Sequence, residues 1–190
     1  NASALPSPLA GALTARTAAR GWYDGEVDHA ALEASLRAGH GMRIIRHGFG
    51  EARLTNGDRY TGSWVSNVPH GTGSYKYAAA DETYSGEWVE GLRHGRGVLA
   101  GANLDEYDGE WREGVRCGQG SQKLGGSGDV LIGTWEGDHM VGEGMLTTGR
   151  GDRYIGMFFS SVRHGKGECT YADGSVYKGE WAAGRFTTAL

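Results

Sequence analysis

The sequence predicts an all-β protein, an elongated single-layer antiparallel sheet of consecutive β-hairpins with a short helical insert near its N-terminus. Three observations predict it. Glycine contributes 35 of 190 residues against 3 prolines, aromatic residues make up 10% of the chain, and one pattern recurs in phase from Tyr60 to Trp181. A glycine inside a strand costs roughly 0.5–1 kcal/mol relative to alanine, so this many glycines must serve geometry. Without proline or a G-X-Y period they fit neither collagen nor a flexible linker.

The pattern shows when the chain is aligned on Tyr60, Tyr84, Tyr107, Leu131, Tyr154 and Tyr177, which are 23 or 24 residues apart. Two residues after each comes Gly62, Gly86, Gly109, Gly133, Gly156 or Gly179. Four residues after comes a large aromatic: Trp64, Trp88, Trp111, Trp135, Phe158 or Trp181. Seven residues after stands a turn-former, Asn67, Gly91, Gly114, Asp138, Ser161 or Gly184. Then follows H-G-x-G or a variant of it, as in His70-Gly71-x-Gly73, His94-Gly95-x-Gly97 and His164-Gly165-x-Gly167.

The spacing Y-x-G-x-W has period two, which specifies one face of a strand. The turn slot admits positive φ and reverses the chain, so each repeat reads as one hairpin. With the turn centred beside that slot, Trp88 is expected opposite Gly95 on its own second strand and opposite Gly73 of the preceding repeat. Trp64 is likewise expected between Gly71 and Gly50, and Trp111 between Gly118 and Gly97. The glycines would then leave room for each indole on a sheet too thin for an ordinary core. A buried aromatic contributes roughly 1.5–3 kcal/mol, so a row of six offsets much of the glycine cost. Twelve or thirteen strands are expected, spanning about 60 Å. The last repeat is expected to lack its second strand and to leave an unpaired edge.

The consensus Y-x-G-x-W-x-x-G-x-x-H-G-x-G resembles the MORN (membrane occupation and recognition nexus) repeat. The resemblance covers residues 60–190 as six repeats, the last incomplete, plus half a repeat before them. It rests on Tyr60, Trp64, Tyr84, Trp88, Tyr107, Trp111, Trp135, Tyr154, Phe158, Tyr177 and Trp181. Leu131, Phe158, Cys117 and Val141 depart from the pattern, with apolar replacements that should fold alike. The resemblance implies a module that mediates protein contacts at membranes, cytoskeleton and cilia.

The N-terminal part is irregular. Residues 1–20 read as a flexible tail; the acid-free, Arg- and Ser-containing start also fits the remnant of an organelle-targeting segment. Residues 21–59 read as a degenerate capping repeat, with Tyr23-x-Gly25-x-Val27 as first strand and His47-Gly48-Phe49-Gly50 in the second. Between them, Asp28 can cap a helix over His29–Ala38 that Gly39 ends, placing the insert at about 28–39. Leu32 and Leu36 share one face of it, and Met42, Ile44 and Ile45 follow. The insert reads as a cap on the ladder or as a docking element.

No catalytic constellation stands out, and neither a metal nor a cofactor is expected. Histidines His47, His70, His94 and His164 recur in one slot, but equivalent positions lie about 9.6 Å apart, too far to share a zinc ion with ligands near 2.0–2.1 Å. Cys117 and Cys169 lie two repeats apart, about 19 Å, and should be free thiols. No apolar run approaches a membrane helix, and a net charge of −4 with no basic block gives no reason to expect nucleic acid. Arg93, Arg116 and Arg163 recur beside the H-G slot and read as a basic row along one rim, either solvated or facing anionic lipid. On the face opposite the aromatics most residues are polar, for example Thr61, Ser85, Glu87 and Glu110. Ile132, Met145, Ile155 and Met157 break that rule. With Ile132 opposite Met145 and Met145 opposite Met157, they are expected to form an apolar patch for a partner. The sequence thus points to a non-catalytic protein-binding scaffold or linker subunit of a larger assembly. The alternatives are a peripheral module for anionic phospholipid or a regulatory region of a larger enzyme. The expected compartment is intracellular, cytoplasmic or cytoskeletal and membrane-associated, with an organelle as the alternative.

Overall fold

The computed structural model describes residues 21–40 and 44–189, so the expected tail and Met42 lie outside the described residues. In chain order the elements are β1 (Trp22–Val27), α1 (His29–Arg37), β2 (Arg46–Arg53), β3 (Arg59–Val65), β4 (Val68–Tyr77), β5 (Glu82–Val89), β6 (Leu92–Ala100) and β7 (Glu106–Arg112). They continue with β8 (Val115–Leu124), β9 (Asp129–Glu136), β10 (His139–Thr147), β11 (Arg153–Phe159), β12 (Val162–Thr170), β13 (Val176–Ala182) and β14 (Arg185–Ala189). All fourteen strands form one open sheet in sequence order, each pairing only with its chain neighbours.

The extra strand is β14. The final repeat closes through Ala183–Gly184 and pairs Trp181 with Phe186, so the expected loss of its second strand does not occur. Phe186 meets Trp181 edge-on at 5.5 Å and Tyr177 at 5.6 Å, which gives the short strand an apolar anchor. At the other end β1 pairs with β2 despite the long insert, bringing Gly25 opposite Gly50. The Asp28 carboxylate accepts from Ala31 N at 3.0 Å to cap α1, and Gly39 leaves it at φ +71°. Helix α1 buries no residue fully; Leu32 packs against the core while Leu36 stays exposed.

The hairpin tips are two-residue loops with both residues at positive φ, such as Glu90 (50°) and Gly91 (79°). This type I′ geometry matches the twist of the flanking strands. The tight loop also explains why the expected register is wrong by two residues. Val89 pairs with Leu92, so Trp88 faces Arg93 on its own second strand, not Gly95. Across the next boundary Trp88 faces Gly71, while Gly73 faces Gly86. The offset is absorbed by a bulge at the H-G step, where Gly95 adopts φ +55° and the pairing slips between Gly86 and Glu87. Backbone geometry is what recurs there: Gly118 and Gly142 keep positive φ although Cys117 and Val141 replace the histidine.

The glycine pairs serve the tyrosines first. A Cβ on Gly62 would stand 2.7 Å from the Tyr60 hydroxyl, and one on Gly97 would stand 2.5 Å from the Tyr84 ring. Each ring therefore lies flat over two side-chain-free residues, one on its own strand and one on the next. Its hydroxyl donates to a carbonyl beside the bulge: Tyr60 to Ser63 O at 2.9 Å, Tyr84 to Glu87 O at 3.0 Å, Tyr154 to Met157 O at 3.0 Å. The indoles use the preceding repeat instead. Trp64, Trp88, Trp111 and Trp135 donate Nε1–H to Gly50, Gly73, Gly97 and Gly120 carbonyls at 3.0–3.1 Å. Tyrosines and indoles meet edge to face, as in Tyr60–Trp64 at 4.8 Å and Tyr60–Trp88 at 5.5 Å, the arrangement the ring quadrupole favours. All six large aromatics are buried on the same face. Tyr177 is not, at 48% exposed, because among the described residues no indole of a following hairpin lies over it.

The opposite edge of the sheet has its own tie. Asp58, Asp105, Asp129 and Asp152, each two residues before the Tyr slot, accept the N–H of Ala78, Gly125, Gly149 and Ala172 one repeat further on, at 2.8–3.0 Å. Asp58 also accepts from Tyr75 at 2.8 Å and Asn56 at 2.7 Å, and these bonds, the Ala78 N–H foremost, hold its carboxyl below the ordinary 3.8.

Two outcomes follow. Gly73→Ala should destabilise the protein by about 1–3 kcal/mol in urea unfolding, since the Tyr60 ring has nowhere to move. Asp58→Asn should destabilise at pH 7, and its deficit should shrink on acidification. A carboxyl whose folded pKa is depressed stabilises fully above the unfolded value and loses that contribution as pH falls through the folded one. Unfolding curves at pH 7 and about pH 3 check this; a deficit unchanged at low pH would contradict it.

Candidate partner-binding face

The arginine row comes first, because the structure gives it a different place from the one expected. Arg93, Arg116 and Arg163 point over the aromatic face and are half-buried. Their guanidinium carbons sit 4.2, 4.7 and 4.3 Å from the ring centroids of Trp111, Trp135 and Trp181, each an indole of the following repeat. Each Nη2 then donates to a carbonyl in that repeat's turn: Gly114 at 2.8 Å, Asp138 at 2.8 Å, Gly184 at 2.7 Å. Arg46 repeats the arrangement over Trp64 with Asn67. A stacked guanidinium contributes about 0.5–2 kcal/mol. These groups lid the aromatic ladder and staple adjacent hairpins; they are not a free basic rim. At Asp138 burial alone would push the carboxyl up, but the backbone and guanidinium bonds from Arg116 outweigh it and hold it below its ordinary range. Burial pushes the Tyr60 and Tyr84 phenols up to about 12.

The patch on the outer face is present with one change of partner. Ile132 pairs with Met145, and Met145 with Ile155, in a row across β9, β10 and β11. Met157 faces Glu143 instead of Met145, since antiparallel register places it two residues further along β11. Ile132, Ile155 and Met157 are 43%, 49% and 38% exposed. Arg153 lies against Met145, with Nε 3.2 Å from Sδ. Sequence reasoning missed Phe159, which continues the β11 stripe at 66% exposure, and Val162 across the turn from it. The run Ile155-x-Met157-x-Phe159 carried the period-two signal that could have found them.

The aromatic ladder also changes at this place. Leu131 stands where other repeats have tyrosine, and the fully buried Met140 occupies the arginine slot. Met140 fills the space over the glycine pair: a Cβ on Gly133 would stand 3.1 Å from its Sδ and one on Gly144 2.8 Å from its Cε. Phe158 has no N–H to give to the preceding glycine carbonyl. The edge-to-face ring sequence runs unbroken from Tyr23 to Trp135 and resumes at Phe158. Both faces of the sheet therefore depart from the repeat rule at the same joint.

On the aromatic side an open groove of about 670 Å³ is lined by Tyr107, Trp111, Arg93, Arg116, Asp105 and Glu106, among others. Cys117 and Cys169 are free thiols. Among the described residues no group of three or more His, Cys, Asp or Glu could hold a metal ion, and no helix is long and apolar enough to cross a membrane.

A family model agrees with the repeat architecture. The family model of the MORN repeat matches residues 60–79, 84–106, 107–124, 132–153 and 154–176. A curated relative, MORN repeat-containing protein 3 of Xenopus laevis, is 46% identical over 33 residues, 17% of this chain and 14% of the relative. Among solved structures, the SAS-4 (dCPAP) TCP domain of Drosophila melanogaster, in complex with a proline-rich motif of Ana2 (dSTIL), has a TM-score of 0.47 at 10% identity, over 94% of this chain and 97% of that one. The wild-type TCP10 domain of Danio rerio CPAP, in complex with a STIL peptide, has a TM-score of 0.26 at 17% identity, over 69% of this chain and 67% of that one.

The arginine geometry is testable by a charge-conserving change. Arg116→Lys keeps the cation but loses the flat stack and the fork, so it should lower the unfolding free energy by about 1 kcal/mol. Urea unfolding followed by tryptophan emission measures it, and a variant as stable as the parent would mean that the guanidinium is a bystander.

Proposed function

The chain belongs to the MORN repeat family, and from that premise we propose that it is a non-catalytic protein-binding scaffold, a structural or linker subunit of a larger assembly. The observation that carries this is the outer face of β11. Elsewhere the outer face carries mostly Thr, Ser, Glu, Gln and Lys along the strands, with Phe49 exposed on β2 and Val65, Val68, Val89 and Leu92 exposed at the hairpin tips. Around β9–β11 it presents, within the strands themselves, a contiguous set of exposed Ile, Met and Phe. Exposed apolar groups of this kind on a repeat surface mark a contact with another macromolecule, and Met adapts its shape to a partner. The family likeness supports the same reading, because a repeat module of this geometry offers long faces for docking.

A photo-reactive amino acid at position 155 tests it against the same group at position 85, the equivalent slot in a polar repeat. In native extract, adducts to protein at 155 and not at 85 are the expected result. Equal labelling at both positions, or none at 155, would remove the β11 face as a binding surface.

A further inference from the structure

We propose that the outer face of β11 is a self-association surface, on which two copies of this chain pack sheet against sheet about a twofold axis running along the strand. This rests on the reading of that face as an interface and names its partner as a second copy.

Strand β11 is apolar on both sides. Tyr154 and Phe158 are buried on the aromatic face, while Ile155, Met157 and Phe159 are exposed on the other. A strand with that composition is the kind found covered on both faces, so a second layer is called for. The side chains also gave up something local to be apolar. In the slot of Met157 two other repeats carry Glu87 and Glu110, whose carboxylates accept the bulge N–H of Arg96 at 2.8 Å and Gln119 at 3.0 Å. Met157 carries no carboxylate there, and among the described residues no hydrogen-bond donor uses its thioether in return.

The charges beside the stripe select the occupant. Glu143 on β10 is the cross-strand neighbour of Met157. Lys166, on the outer face of β12, pairs with Glu180 and lies on the other flank of the same residue. Both are exposed. A twofold axis along β11 exchanges the two flanks, so Glu143 of each copy comes over Lys166 of the other, twice, while Ile155 meets Ile155 and Met157 meets Met157. A partner of one charge sign would gain at one flank and lose at the other; a second copy matches both. Aligned sheets pack about 10 Å apart with their strands crossing by about 30°, which this axis permits, and isologous pairing of one patch with itself closes the assembly.

The test is sedimentation equilibrium on the parent chain and on Ile155→Ser/Met157→Glu. That double variant installs the Ser and Glu found in the Tyr84 repeat, so the fold should tolerate it, as circular dichroism will report. A dimer that the variant weakens by about a hundredfold or more is the expected result. In a Cys117→Ser background, Ile155→Cys should link to its own kind with a short bismaleimide, and Ser85→Cys should not. A parent chain still monomeric at about 100 µM overturns the proposal, as does a dimer that the variant leaves intact. The position-155 photo-adduct separates the two readings. Labelling of a different protein by a monomeric chain keeps the scaffold and discards the dimer, whereas no adduct at all discards both.

Discussion

A tyrosine ring laid over a pair of facing glycines is the constraint on which the sheet depends. One layer of strands cannot bury side chains between sheets, so it must build an interior sideways, ring against ring along one face. Gly62 and Gly73 let the Tyr60 ring down onto the backbone, and the bulge that follows brings a carbonyl to its hydroxyl. The indole of the next repeat then closes over that ring, and over Trp64, Trp111, Trp135 and Trp181 an arginine closes in turn. Remove the glycine pair and each later contact loses its footing. This is why a chain so rich in glycine forms fourteen ordered strands.

Much of this was legible in the sequence, and the parts that were not share a cause. Period two within Y-x-G-x-W and the 23- to 24-residue spacing placed the hairpins and the buried face correctly. Within each hairpin the expected register holds beyond the H-G step, as Ile132 opposite Met145 shows, but at the indole it fails by two residues, because that step reads as ordinary strand while Gly95 in fact makes a bulge. That error misplaced the arginines. Read as rim residues next to the turn, Arg93 and Arg116 fall on the aromatic face once Trp88 and Trp111 are paired with them. The aspartate ties were readable at a fixed offset before the tyrosine, but their role appears only when the loops of two repeats are seen side by side. Ile132, Met145 and Ile155 were found because alternation alone assigns a face. Phe159 was missed, although it continues the same alternation.

The two faces divide the chemistry of the chain. On the inner one, cations, rings and carbonyls satisfy one another between neighbouring hairpins, and little is left over except the open groove beside Trp111. On the outer one, side chains have no second layer to meet and are free to vary. A strand-centred apolar stripe on a mostly polar face is therefore informative in a way that an exposed leucine on a globular domain would not be. That departure coincides with the joint where Leu131, Met140 and Phe158 replace tyrosine, arginine and tryptophan.

The strand order, in which every element touches only its chain neighbours, has a mechanical corollary. Stability in such a ribbon is a sum of nearest-neighbour couplings, so heat or tension loosens it from its ends inward and damage does not spread far. The seam around Met140 lacks both the indole donor and the stacked cation that tie Trp111 and Trp135 to the repeats before them.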